Sequence, residues 1–263
     1  MKCMEITDCL KKLSPESYAE NWDNVGLLVG RKEKEVHKIM VALDATNEVV
    51  KRAVDEKADM LITHHPMIFS SVKKINEDTP TTEKILTLAE NRISYYAMHT
   101  NFDTIGGMGE LAAGPDYLDL TDAKPLLKSI DELEGMGRGG FFKSPMTGRQ
   151  AALYVKEKFD LPFVMIYQGE GDKDKVFDKI AVLPGSGKSE MEEVKKQGYE
   201  LYLTGDYGHH SGLDAIDMGI TVIDATHYGL EKIFVAFIAD HIKNNFPDID
   251  VVSIYSGSPV EVL

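Results

Sequence analysis

Residues 61–70 read LITHHPMIFS, an apolar run that stops at two adjacent histidines, His64 and His65. Three other apolar runs end in residues of the same chemical kind. MHTNFD places His99 four residues before Asp103, THYGLE places His227 four residues before Glu231, and LTGD closes on Asp206. A single histidine at a strand end is more often a structural residue than a ligand. Four polar strand ends in a chain with 8 histidines reverse that preference. Sites in open α/β sheets form just beyond the carboxyl ends of the strands.

Imidazole with carboxylate, and no thiolate, is a donor set for Zn, Mn, Fe or Ni rather than for a structural cysteine site. Neighbouring residues of a regular strand face opposite ways, so His64 and His65 cannot chelate one ion from within a strand. Where the chain turns at Pro66 they can reach two neighbouring ions. The two His-x-x-x-acid pairs then supply matching ligands from two parts of the chain. That implies a dinuclear centre with a bridging carboxylate, as used in two-metal hydrolysis.

Other polar features carry weaker signals. His209 and His210 follow Asp206 and could serve as general acid or base, or be merely solvated. GSGKS (185–189) looks like a phosphate loop, but the P-loop spacing requires glycine where Val182 stands. A plain turn is the favoured reading, with anion binding at a helix start as the alternative. Asp44 suits a turn or helix cap, and GGMGE (106–110) a tight turn into a helix. Cys3 and Cys9 read as reduced packing thiols.

The elements that must hold these residues alternate. KIMVALD (38–44), DMLITHH and ISYYAMH read as strands. NEVVKRAVDEK, capped by Thr46, and TTEKILTLAENR read as helices. Residues 179–206 align without gaps on residues 38–65 at a constant offset of 141, and MHTNFD matches THYGLE at an offset of 128. The pattern predicts a duplicated α/β unit with mixed, mostly parallel sheets. Residues 1–130 would form a first α/β half carrying the histidine pair. Residues 131–263 would form a second half whose C-terminal part completes the metal site. GMGRGG (135–140) has the glycine density of a linker or mobile loop, the N-terminus reads as an amphipathic helix, and IDVVSIYSG as a closing strand.

Composition narrows the function. Apolar residues make up 43%, ordinary for a folded soluble chain, and 29 Lys and Arg stand against 43 Asp and Glu, a net charge of −14. That balance argues against a phosphate-tracking nucleic-acid surface. No apolar run reaches membrane-spanning length and the N-terminus lacks a signal peptide, so no membrane is involved and a cytoplasmic protein is expected.

Taken together, WDNVGLLVG (22–30), THHP, HTNFD, GGMGELAA, TGD and ATHYGLE resemble the Nif-three-like family in content and order, over residues 22–231. Its members are often labelled GTP cyclohydrolase I type 2 homologs. The resemblance implies two similar, interlinked α/β domains, a dinuclear metal site in the cleft between them and a ring-shaped homohexamer. Carried over by position, the ligands of two divalent ions per chain would be His64, His65, Asp103, His227 and Glu231, with Glu231 bridging. His99 would stand close by, either supporting the ligands or as a proton shuttle, and Asp206 would be a catalytic candidate where family members often carry the longer Glu. The function implied is a hydrolase, GTP cyclohydrolase-like, acting on a nucleotide or related small molecule. The alternative is a non-catalytic metal-binding or metal-delivery protein, or a ring-shaped scaffold.

Overall fold

The computed structural model of the chain describes residues 1–129 and 134–263. The boundary expected between residues 130 and 131 lies outside the described residues. Two compact units emerge, Met1–Gly106 with Phe234–Leu263, and Gly107–Ile233.

The first unit runs α1 (Cys3–Leu13), β1 (Gly26–Val29), β2 (Lys38–Ala42), α2 (Asn47–Asp55), β3 (Met60–Thr63), α3 (Pro80–Glu90), β4 (Ser94–Ala97) and α4 (Thr100–Thr104). The second runs α5 (Met108–Ala113), β5 (Thr121–Lys128), β6 (Gly135–Thr147), α6 (Gly148–Lys158), β7 (Met165–Tyr167), β8 (Val176–Ser186), α7 (Met191–Lys196), β9 (Leu201–Gly205), α8 (His209–Asp217), β10 (Thr221–Asp224) and α9 (His227–Glu231). Then α10 (Ile233–Asn245) and β11 (Asp250–Ile254) return the chain to the first unit.

Local chemistry accounts for the main elements. Cys3, Ile6 and Leu10 fall on one buried face of α1, with Lys11 and Lys12 in its last turn, where cations complement the helix dipole. Thr46 caps α2 by accepting the Val49 N–H at 3.2 Å. All four residues of β3 and of β4 are buried, as expected for parallel strands covered on both faces.

The first sheet has the order β1-β4-β3-β2-β11, with β2, β3, β4 and β11 parallel and β1 antiparallel at the edge. Its register pairs Ala42 with Thr63 and Thr63 with Ala97. Three strands therefore end level, and the residues that follow them emerge along one edge. The second sheet has the order β5-β6-β8-β9-β10-β7, with β8, β9 and β10 parallel and β7 antiparallel on β10. The offset of 141 lays β2 on β8 and β3 on β9, and β1-β4-β3-β2 has the same neighbour order as β7-β10-β9-β8. Both units are mixed α/β, and the duplication legible in the sequence is consistent with this repeat of topology.

GMGRGG is not a linker. It opens the long strand β6, paired antiparallel with both β5 and β8. Glycine here serves close packing: a Cβ on Gly109 of α5 would stand 2.6 Å from the Cα of Gly137. No helix among the described residues is long and apolar enough to cross a membrane.

Gly109→Ala should therefore overpack a contact made by backbone that cannot rotate away, at a cost of about 1–3 kcal/mol. Urea unfolding checks this: a lower midpoint with an unchanged slope is expected, and a midpoint equal to wild type would count against the close approach.

Candidate functional site

In the first unit the turn after β3 is fixed by the buried Tyr95 of β4. Its hydroxyl shares a hydrogen bond with Thr63 Oγ1 (2.7 Å), donates to the His65 carbonyl (3.0 Å) and accepts the Met67 N–H (2.9 Å). Burial pushes this phenol up to about 12, so it stays a neutral donor. Because β3 stops at Thr63, His64 and His65 are released from strand alternation. Their rings lie 4.9 Å apart, with His99 at 5.2 and 5.5 Å from them. One ligand-type atom from each of the three lies within 4.8 Å of the others.

Each of these rings is held from behind. His64 is fully buried, and its Nδ1 donates to the Met98 carbonyl at 2.7 Å. His65 Nδ1 donates to Asp44 Oδ1 at 2.7 Å, and His99 Nδ1 to Asp23 Oδ1 at 2.9 Å. Carbonyl and carboxylate oxygens only accept, so Nδ1 carries the proton and the lone pair of the neutral ring falls on Nε2. Metal-binding histidines are oriented in this way. Asp103 of α4 brings Oδ1 within 3.6 Å of His64 Nε2.

The second unit builds its own set on α9. His227 Nδ1 donates to Asp206 Oδ2 at 3.0 Å, and His227 Nε2 lies 3.0 Å from Glu231 Oε2 one helical turn on. So close an approach of a ring nitrogen to a carboxylate calls for positive charge between them, from a ring proton or a cation. Glu231 is buried. Asp206 and Thr226, on either side of this pair, adopt positive φ of 54° and 62°. For a β-branched threonine that backbone is costly and persists where the surroundings over-determine it. Thr226 is held there as the cap of α9, accepting the Gly229 N–H at 3.1 Å.

The duplication shows why the two copies differ. The position matching Asp44 is Gly185, where a Cβ would lie 2.5 Å from Glu231 Oε1. The position matching His64 is Gly205, where a Cβ would lie 2.5 Å from the His227 backbone nitrogen. Side chains used by the first copy are absent from the second, and α9 with its acid fills the space.

A model of the family Duf34/NIF3 (NGG1p interacting factor 3) matches residues 1–259. The chain belongs to the Duf34/NIF3 family. It is 35% identical over 234 residues to the GTP cyclohydrolase 1 type 2 homolog of Clostridium acetobutylicum, covering 88% of this chain and 85% of that relative. Among solved structures it is similar to reduced HcgD from Methanocaldococcus jannaschii, with TM-score 0.82 and 31% identity over 96% of this chain and 97% of that one. The Bacillus cereus protein related to NIF3 has TM-score 0.89 over 100% and 99% of the two chains, and at 22% identity it speaks to the fold alone.

Not every polar candidate in this Duf34/NIF3 chain joins these sets. His209 and His210 open α8, exposed and packed on each other at 5.2 Å. In GSGKS the Gly187 N–H donates to Thr204 Oγ1 and its carbonyl accepts from the Tyr202 hydroxyl, which ties Gly187 back onto its own sheet. Cys9 Sγ lies 3.5 Å from His241 Nε2, and Cys3 is buried. One residue, Asp23, escapes the reading of the sequence, and Asp44 reads there as a turn or cap residue. Asp23 holds His99, and Asp44 holds His65 rather than capping a helix. The only available signal for Asp23 was its place in WDNVGLLVG.

A cavity of about 640 Å³ opens beside His65 and Asp44 and runs past the start of α2 to Lys84 and Ser258. Lys84 donates to the Ala45 carbonyl at 2.7 Å, and burial pulls its ammonium below the usual lysine range.

The Asp23 side chain is fully buried. Burial alone would raise its pKa, but hydrogen bonds from His99 and Thr100 outweigh it and hold the carboxyl at about 2, below its ordinary 3.8. A depressed folded value means stability that is complete above about pH 4 and lost as pH falls through about 2. The stability difference between wild type and Asp23→Asn should shrink across that window in acid-unfolding curves. Parallel curves would contradict the assignment.

Proposed function

We propose that this Duf34/NIF3 protein is a metal-dependent hydrolase that binds two divalent ions through His64, His65, Asp103, His227 and Glu231, with Glu231 bridging. The observation supporting this reading is the common tethering of His64, His65, His99 and His227 at Nδ1, which turns each Nε2 away from its anchor, in His227 towards the Glu231 carboxylate. The donor set suits Zn, Fe, Mn or Ni. When bound, such a pair of ions lowers the pKa of a water and polarises a phosphoryl group or an electrophilic ring carbon.

The chain's own residues do the rest. Asp44 and Asp206 fix the rings of His65 and His227. His99, held by Asp23, offers Nε2 as a proton relay next to the ligand histidines. The cavity beside His65 falls within the range of small-molecule sites, which favours turnover over a closed storage site. Relatives named GTP cyclohydrolase 1 type 2 homolog point to a nucleotide or related small molecule as substrate. The family resemblance extends the proposal to a ring-shaped homohexamer working in the cytoplasm.

Metal content by elemental analysis tests the reading on wild type and Glu231→Ala, with circular dichroism confirming that the buried substitution leaves the fold intact. About two equivalents per chain, falling to about one or none in the variant, are expected. Absence of metal from the wild type after reconstitution with each ion would overturn the proposal. Full metal loading without turnover of nucleotides or phosphoesters would favour metal delivery instead.

A further inference from the structure

Trp22 and Phe69 are each 56% exposed, yet neither is loosely held. The loop carrying Trp22 is pinned at its next two residues. Asp23 accepts hydrogen bonds from His99 Nδ1 and from the Thr100 N–H (3.0 Å) and hydroxyl (2.6 Å). Asn24 Nδ2 donates to the Ile68 carbonyl at 2.6 Å, tying this loop to the one that carries Phe69. The indole consequently lies 5.7 Å from the Phe69 ring at 47° and 6.0 Å from the His99 ring, edge-on at 73°. Two large aromatic rings are thus held open to solvent by a buried carboxylate, Asp23, and a half-buried amide, Asn24, and one of them ends at the imidazole cluster.

We propose that Trp22 and Phe69 form a stacking platform for a planar heteroaromatic ring, the base of a nucleoside or nucleotide, beside the histidine cluster. The inference deepens the function proposed above and rests on it for the orientation of the ligand towards His99. A base stacked on Trp22 presents its polar edge to His99, which the Asp23 carboxylate fixes in place. Pre-organised rings lose little freedom when a ligand arrives, so stacking contributes fully to affinity. Continuity of the pair with His99 favours a small polar aromatic ligand over a purely apolar partner. Stacking alone tolerates any base, and discrimination falls to hydrogen bonds at the ring edge.

Trp22 is the single tryptophan of the chain, so its fluorescence reports on the platform directly. Guanosine, GMP and ribose 5-phosphate would be titrated into metal-free and metal-loaded protein, with calorimetry for variants lacking the indole. Saturable quenching by guanosine and GMP, but not by ribose 5-phosphate, is expected. Trp22→Ala and Phe69→Ala should each weaken GMP binding about 5- to 100-fold, while Trp22→Phe retains most of the affinity. Metal content of Trp22→Ala should equal that of wild type, which separates failure of this inference from failure of the metal reading. Equal binding of ribose 5-phosphate, unchanged GMP affinity in both alanine variants, or a change of oligomer size in Trp22→Ala without a change in affinity would overturn it. The last result would make the patch a contact between copies of the chain.

Discussion

The ring of His64 is fully buried at the end of β3, and its Nδ1 donates to the carbonyl oxygen of Met98 at the end of the neighbouring β4. That hydrogen bond offsets the cost of burying Nδ1, while Nε2 faces Asp103 Oδ1 at 3.6 Å. The bond forms only if β3 and β4 end level, which the pairing of Thr63 with Ala97 ensures. It also decides the tautomer, and so the face the imidazole turns towards Asp103. A slip of one residue in that register would send every side chain of β3 to the other face of the sheet and dissolve the histidine cluster. The fold's parallel pairing and the site's chemistry therefore share one constraint.

Around that anchor the same device recurs with different acceptors. A backbone carbonyl holds His64, whereas carboxylates hold His65, His99 and His227. A carboxylate behind an imidazole raises the basicity of the far nitrogen as well as orienting it. The three solvent-accessible rings have the stronger partner, and the buried ring has the neutral one. A neutral acceptor adds no second charge to desolvate in the interior.

The duplication adds a second lesson about how one topology yields two ligand sets. Both copies end parallel strands level and place polar residues at the ends. The first copy has Asp44 and His64 at positions where the second has Gly185 and Gly205, and the absence of side chains there leaves room for α9 and Glu231. The strained backbone at Asp206 and Thr226 borders the same place, as expected where a helix start is forced close to a strand end. The two copies of the repeat thus differ by the presence or absence of side chains at matching strand ends.

The amino-acid sequence by itself determined the alternation of strands and helices, the cap at Thr46, the repeat at an offset of 141, and the clustering of histidines at strand ends. These are local or periodic signals, set by short continuous apolar runs in strands buried on both faces, by burial of every third to fourth residue in helices, and by hydrogen bonds a few residues long. It misread GMGRGG, because glycine density is the same whether it serves a free loop or a strand packed against another backbone, as Gly137 is against Gly109. It could not pair Asp23 with His99, 76 residues away, or Asp44 with His65. Such partners are chosen by strand register and loop closure in three dimensions. Only the tertiary structure decided which acid stands behind which ring, and hence which nitrogen of each histidine is left to do chemistry.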